Sequence, residues 1–258
     1  MANENESTVS RRKEILRLLN ENGRVFVEEL SNTFSVSKVT IRKDLDQLEQ
    51  KNVLIKARGG ALKIDTLVPD QRVTDKIKLN FEEKARIGKK AAELIRESEN
   101  ILIDSGSTTS ELVRNLPDFQ DLTIITNAFT IANQLLSKPN INMIVPGGYF
   151  RKNSQSLVGP LAEKSLRNFH VDKVFLGVDG FDTRLGIFTP IPEEARLNEV
   201  MIEISKEVIV LADSTKFNKK SFAFICPLES IHKVVTDSKI HTDDKQRLQD
   251  AGIEVIIA

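Results

Sequence analysis

Ser37-Lys38-Val39-Thr40-Ile41-Arg42-Lys43-Asp44-Leu45 decides how the front of this chain folds. It follows an amphipathic run, 27–34, in which Val27, Leu30 and Phe34 recur at helical spacing, and a tight Ser35-Val36-Ser37 connection. Two helices joined by so short a turn form a helix-turn-helix. The second helix is expected from about Lys38 to Lys51, capped by the Ser37 hydroxyl, with Ile41, Leu45 and Leu48 on its inner face. Lys38, Thr40, Arg42 and Lys43 are then free to point outward. Cationic and hydroxyl side chains near a helix N-terminus reach phosphates and base edges in a major groove, so these positions imply double-stranded DNA as a partner.

Upstream, Ile15, Leu16, Leu18 and Leu19 give a helix over 11–22 that stops at Gly23, and Val25 begins a brief extended link. Downstream, two extended runs within 53–64 flank Gly59-Gly60 and predict a β-hairpin. As a wing it carries Lys56 and Arg58 toward a neighbouring phosphate or minor groove; it also closes the small core. The winged helix-turn-helix domain is therefore placed at 8–63, with the motif at about 25–44. The whole chain balances 37 Lys and Arg against 37 Asp and Glu, so no global field draws it to nucleic acid. Locally, 37–58 holds Lys38, Arg42, Lys43, Lys51, Lys56 and Arg58 against Asp44, Asp46 and Glu49, six minus three, or +3. Phosphate contacts need such a strip, although a solvated helix face has the same composition.

Residues 64–81 show no period and serve as a linker. From 82 to 258, Val/Ile/Leu-rich strands (100–104, 122–126, 141–145, 173–178, 207–212, 222–226, 233–236, 253–257) alternate with amphipathic helices (82–96, 108–116, 128–137, 160–168, 193–205, 242–251). That alternation predicts an α/β domain with a mainly parallel, doubly wound sheet. The single cysteine, Cys226, sits in an apolar run and is expected to be a buried small hydrophobe. No apolar run approaches a membrane span and the N-terminus is polar, so the expectation is a cytoplasmic protein with no membrane partner, metal or cofactor.

In such sheets ligands bind beyond the carboxyl ends of the strands. After 100–104 comes Asp104-Ser105-Gly106-Ser107-Thr108-Thr109, then a helix. A small, hydroxyl-rich loop at a helix N-terminus offers amides and a favourable dipole to an anion, here a phosphate; a well-capped helix start is the plainer reading. Other strand ends bring Asn127, Gly147 with Gly148, Asp179, and Lys216, while Glu194 opens a helix. Carboxylates accept from sugar hydroxyls and a lysine meets a phosphate, so this ring suits a polyhydroxylated anion. The loop is neither a Walker loop nor GxGxxG, and nothing in it argues for a nucleotide.

Over nearly its full length the chain resembles the DeoR-type transcriptional regulators. The resemblance runs from Arg11 through Ala61, including Ser37 to Leu45 and Gly59-Gly60-Ala61. It resumes at Asp104 to Thr109, Thr126-Asn127, Gly147-Gly148, Gly177 to Gly180, Glu193-Glu194-Ala195 and Ala212 to Lys216. Asn153 to Ser156, Asp179 to Asp182, Glu194 to Asn198 and Asp213 to Asn218 resemble most the amino-sugar repressors of that family, of N-acetylgalactosamine type. The resemblance implies a sensor domain similar in fold to ribose-5-phosphate isomerase and glucosamine-6-phosphate deaminase. A homo-oligomer, dimer or tetramer, is expected because a single DNA-binding module rarely has enough affinity and paired half-sites match two-fold symmetry. It implies a repressor of a sugar-catabolism operon whose operator affinity answers to a phosphorylated sugar. It further implies that Ser105 to Thr109 and Lys216 hold the phosphate and that Asp179 stands where the enzymes keep a proton-transferring carboxylate. Those isomerases also place a lysine shortly after this motif, whereas here no lysine occurs between Lys173 and Lys206. That departure implies recognition without catalysis. The other reading is a sugar-phosphate isomerase or deaminase with an accessory DNA-binding domain, using Asp179 and Glu194 as acid and base.

Overall fold

A computed structural model describes residues 2–49, 53–57, 59–62 and 68–258. The front domain comprises α1 (Ala2–Asn22), β1 (Arg24–Phe26), α2 (Val27–Phe34), α3 (Lys38–Glu49), β2 (Ile55–Ala57) and β3 (Gly60–Leu62). α1 starts earlier than its apolar period because its first turns are polar and carry no face to read. Ser35 takes the left-handed conformation (φ 51°) that ends α2, its neighbour Val36 donates to the Ser31 carbonyl, and the Ser31 hydroxyl donates back to the Val36 carbonyl at 2.6 Å, which closes the turn. The expected link at Val25 is a strand: β1 pairs antiparallel with β3, which pairs with β2. A side chain on Gly60 would meet the Val25 carbonyl oxygen at 2.0 Å, so the wing closes on β1 only with glycine there. Ile15, Leu19, Leu30, Ile41, Leu45 and Leu54 form the core of this domain.

The rear domain comprises α4 (Val73–Lys76), α5 (Phe81–Ala92), β4 (Asn100–Ile103), α6 (Ser107–Arg114), β5 (Leu122–Thr126), α7 (Phe129–Leu135), β6 (Ile141–Ile144), β7 (Tyr149–Arg151), β8 (Ser156–Val158), α8 (Pro160–Leu166), β9 (Val171–Gly177), β10 (Gly180–Asp182), β11 (Gly186–Thr189), α9 (Pro192–Glu203), β12 (Ser205–Leu211), β13 (Ala223–Cys226), β14 (Lys233–Thr236), α10 (Thr242–Asp250) and β15 (Glu254–Ile257). Seven strands form one parallel sheet in the order β15-β14-β12-β9-β4-β5-β6. Both faces are covered. Along β9, Val174 and Leu176 enter one core with Val200 and Leu248, while Phe175 enters the other with Ile87 and Leu112. β13 departs from the expected parallel sheet. It pairs antiparallel with β11, which pairs with β10, in a separate sheet lying over α9. Cys226 is buried there, and burial pushes its thiol up to about 12.

The two domains are docked. Arg24 of β1 is buried under three rings, 4.2 Å from the centroid of Phe26, 4.8 Å from Phe224 and 5.6 Å from Phe188. Burial lowers its pKa to about 10, which leaves it cationic over the aromatic faces at neutral pH. Lys220 donates to the Asn22 carbonyl at 2.5 Å and lies 3.2 Å from Asp182. Among the described residues no helix is long and apolar enough to cross a membrane.

Candidate functional site

The front site is the outer face of α3. Ser37 caps it: its hydroxyl accepts from the Thr40 amide at 3.1 Å and lies 2.9 Å from the Thr40 hydroxyl. Ile41, Asp44, Leu45 and Leu48 are buried, which leaves Lys38, Val39, Arg42 and Lys43 exposed. Lys38 pairs with Glu28 of α2 at 2.5 Å. Lys56 turns back from the wing onto Asp46, and Glu49 accepts from its amide, so the wing is fastened to α3. Arg42 and Lys43 make no ion pair among the described residues, so their charges on this surface are uncommitted. Arg58 lies outside the described residues. Val39, 58% exposed, is an apolar group that charge patterning does not reveal; its place beside Arg42 suits a thymine methyl.

Asp44 is the other residue the linear charge count misjudges. Its carboxylate is buried and receives Arg11 Nε at 2.6 Å and Arg12 Nε at 2.7 Å. It ties α1 to α3 and does not offset the basic strip.

The rear site lies where the strand order reverses. The chain runs outward from β4 through β5 to β6, then returns beside β4 as β9. A crevice opens beyond the carboxyl ends of these two neighbours, as open α/β sheets provide. Gly177 of β9 would place a side chain 3.3 Å from the Ser105 carbonyl, so the two strand ends approach closely. Asp104, Ser105, Gly106, Ser107, Thr108, Asn127, Asp179, Glu194 and Lys216 all line this crevice. Three expected residues do not. Thr109 is fully buried and donates its hydroxyl to the Gly106 carbonyl at 3.0 Å. Gly147 and Gly148 pack near Leu161 and Ala162, because β6 is the sheet edge, two strands from β4.

Part of the crevice lining has the chemistry an anion calls for. Asn127 Oδ1 receives the Ser105 amide at 3.2 Å and fixes the loop. The first amides of α6 have no intrahelical acceptor, and the Ser107 and Thr108 hydroxyls have no protein partner among the described residues. Lys216 is half-buried; burial lowers its pKa against the pull of Asp179 and Asp213. Asp104 is pushed up to about 7 by burial and then by Glu194, against hydrogen bonds from Ser105 and Asn198. Two carboxylates of the lining are already paired. Asp179 holds Lys76 at 2.5 Å, and Glu194 takes Thr189 Oγ1 at 2.9 Å and the Arg151 guanidinium.

Lys76 changes the local argument about a missing lysine. None follows Asp179 before Lys206, yet α4 supplies one to it from the expected linker. The same segment brings Asp70, Gln71 and Val73 to the crevice, and β7–β8 brings Ser154. None of these was expected, since a stretch without periodicity gives no signal of what it covers.

Residues 11–66 match the DeoR-like helix-turn-helix domain, and residues 79–238 match the DeoR C terminal sensor domain. The chain is 40% identical over 252 residues to a putative aga operon transcriptional repressor of Escherichia coli O157:H7, covering 97% of this chain and 94% of that one. It is 35% identical over 248 residues to the HTH-type transcriptional regulator GolR of Listeria innocua serovar 6a, covering 96% and 98%. A solved structure of ribose 5-phosphate isomerase A from Methanocaldococcus jannaschii aligns at TM-score 0.40 and 17% identity, over 54% of this chain and 55% of that one, too slight a likeness to bear on ligand or chemistry. The two relatives are named as transcriptional regulators, in agreement with a regulator and not an enzyme.

Proposed function

The chain belongs to the DeoR family of helix-turn-helix transcriptional regulators, and on that premise we propose that it represses a sugar-catabolism operon in the cytoplasm and that a phosphorylated sugar in the rear crevice sets its operator affinity. One observation carries the ligand class: the start of α6 with its Ser107 and Thr108 hydroxyls, and Lys216, line one crevice together with Asp179 and Glu194. A phosphate suits the amides, hydroxyls and lysine, and sugar hydroxyls suit the carboxylates. The name of the Escherichia coli relative supports the sugar-operon reading. DNA engagement falls to Ser37, Lys38, Val39, Thr40, Arg42 and Lys43, and a homo-oligomer presents two heads to paired half-sites. The ligand acts by its differential affinity for two arrangements of the heads.

Thermal melting against a panel of pentose, hexose and hexosamine phosphates tests the sensor, since a ligand of the folded state raises the midpoint with concentration. A panel without any shift would remove the sugar-phosphate reading. For the head, Arg42→Ala is expected to cost operator binding about 1–3 kcal/mol while the melting midpoint holds. If Arg42 meets a phosphate, the slope of log affinity against log salt falls by about 0.9; unchanged operator binding excludes the arginine.

Asp104 gives the crevice a pH dependence. Its pKa is raised in the fold to about 7 from 3.8. The proton is therefore held in the folded state, and the stability it contributes is full below 3.8 and lost as pH rises through about 7. The charge that then appears repels an anion. A sugar sulfate ester, whose own charge is constant, is expected to bind more weakly at pH 8 than at pH 6, by about fivefold if the anion shifts Asp104 by one unit. Asp104→Asn is expected to flatten that profile, and a profile unchanged by the substitution assigns the proton elsewhere.

A further inference from the structure

Segment 68–80 crosses the mouth of the crevice. It is fastened at both ends: Val68 exchanges hydrogen bonds with the Lys220 carbonyl and the Ser221 hydroxyl, and Asn80 donates to Asp213 at 3.1 Å. Buried Lys84 holds the Leu79 and Lys76 carbonyls. Its middle is fastened to the ligand-facing carboxylates. Lys76 takes Asp179 directly, while Asp70 takes Arg151 at 2.7 Å, and Arg151 takes Glu194 with its other nitrogen. Each acidic group meant for sugar hydroxyls is thus already satisfied by a cation that belongs to the segment or is held by it.

The space is equally occupied. The crevice is open to solvent, and its cavity volume is about 50 Å³. That volume suffices for a few waters, not for a whole sugar phosphate. A ligand of that size reaches Asp179 and Glu194 only if the segment withdraws.

We propose that segment 68–80 is a strap that competes with the effector for Asp179 and Glu194, with Lys76 as the residue a polyhydroxylated anion displaces. The Ser107 and Thr108 hydroxyls of α6 make no hydrogen bond to the strap among the described residues, so the phosphate seats there while the hydroxyls compete for Asp179 and Glu194; the turn that carries Lys216 is held to the strap by Asn80, which donates to Asp213 and, at 3.2 Å, to Thr215. In sequence the strap leads through 63–67 to β3 of the DNA-binding head. Six residue steps separate Leu62 from Val68, a reach of at most about 21 Å, so a freed strap lengthens the tether of the head. The competition rests on the sugar-phosphate reading, whereas the fastening of the strap does not.

The test uses the full chain with no ligand and then with one. Lys76→Met and Asp179→Asn are each expected to speed hydrogen exchange at amides 69–79 by roughly tenfold, the opening expected when a charged hydrogen bond is lost. The double variant should be no faster than the faster single one, because both remove the same contact. Lys76 is partly exposed, so its loss leaves folding intact, and exchange in β4 and β9 serves as the check. Unchanged exchange at 69–79 in both variants overturns the strap. Ribose 5-phosphate, galactose 6-phosphate and glucosamine 6-phosphate are then titrated by calorimetry. Any that binds the native chain is expected to bind Lys76→Met severalfold more tightly; weaker binding overturns competition and makes Lys76 a clamp on the ligand. If none binds, the sugar-phosphate reading falls while the exchange data still decide the strap.

Discussion

Asp44→Ala is expected to unfold the DNA-binding head and leave the sensor domain standing. Asp44 occupies the inward face of α3 among Ile41, Leu45 and Leu48, a place for an apolar residue. It is tolerated because Arg11 and Arg12 of α1 both donate to it, at 2.6 and 2.7 Å. Removing one member of a buried ion pair costs about 3–5 kcal/mol, since the remaining charge keeps its desolvation and loses its partner. The low end applies here, because the Arg12 side chain is 26% exposed and can turn to water, while Arg11, at 11%, has less freedom. A head of this size has a total stability of about 3–8 kcal/mol, so the loss consumes much of it. Calorimetry should show the head transition lowered or absent and the sensor transition unmoved, with operator binding lost. Asp44→Asn keeps an acceptor without charge and should fall between. If Asp44→Ala melts like the native chain, the clamp contributes nothing and the helix-turn-helix stands on its apolar core.

This clamp shows where linear reading stops. α2 and α3 were legible because each has an apolar face of its own period, and the parallel strands because burial on both sides makes them continuous Val/Ile runs. β1, β7 and β10, three residues each, are too short to have a period, and the partner of β1 lies far off in sequence. β13 reads like a core strand, but nothing in Ala223–Cys226 chooses between a parallel neighbour and β11. In the crevice, the residues directly after β4 and β9 were legible because the topology of such sheets dictates where strand ends gather. Thr109 failed because it lies far enough into α6 to turn inward, and Gly147 and Gly148 because strand order is not written in β6 itself. Lys76 was out of reach. It is 103 residues from Asp179, on a segment whose polar composition reads as linker.

Replacing Lys216 is expected to separate sensing from DNA binding. The residue follows β12, and its backbone is set by a short turn in which Asp213 accepts from the Thr215 amide at 3.1 Å. Its ammonium has no ion pair among the described residues, unlike Lys76, so it is the crevice cation not already committed to a carboxylate. Burial lowers its pKa from 10.5, so desolvation already disfavours its charge and a bound phosphate would restore what burial costs. A charge-assisted hydrogen bond of this kind contributes about 1.5–3 kcal/mol, so Lys216→Ala should weaken binding of a sugar phosphate by roughly 10- to 150-fold. The position is remote from α3, so operator affinity without ligand should be unchanged, and operator binding should cease to answer to ligand at concentrations that act on the native chain. Lys216→Arg is the discriminating control: it keeps the charge but changes its shape, and partial recovery would assign the loss to charge and not to packing. Calorimetric affinity equal to that of the native chain would move the phosphate away from this end of the crevice and leave the α6 amides as its only support.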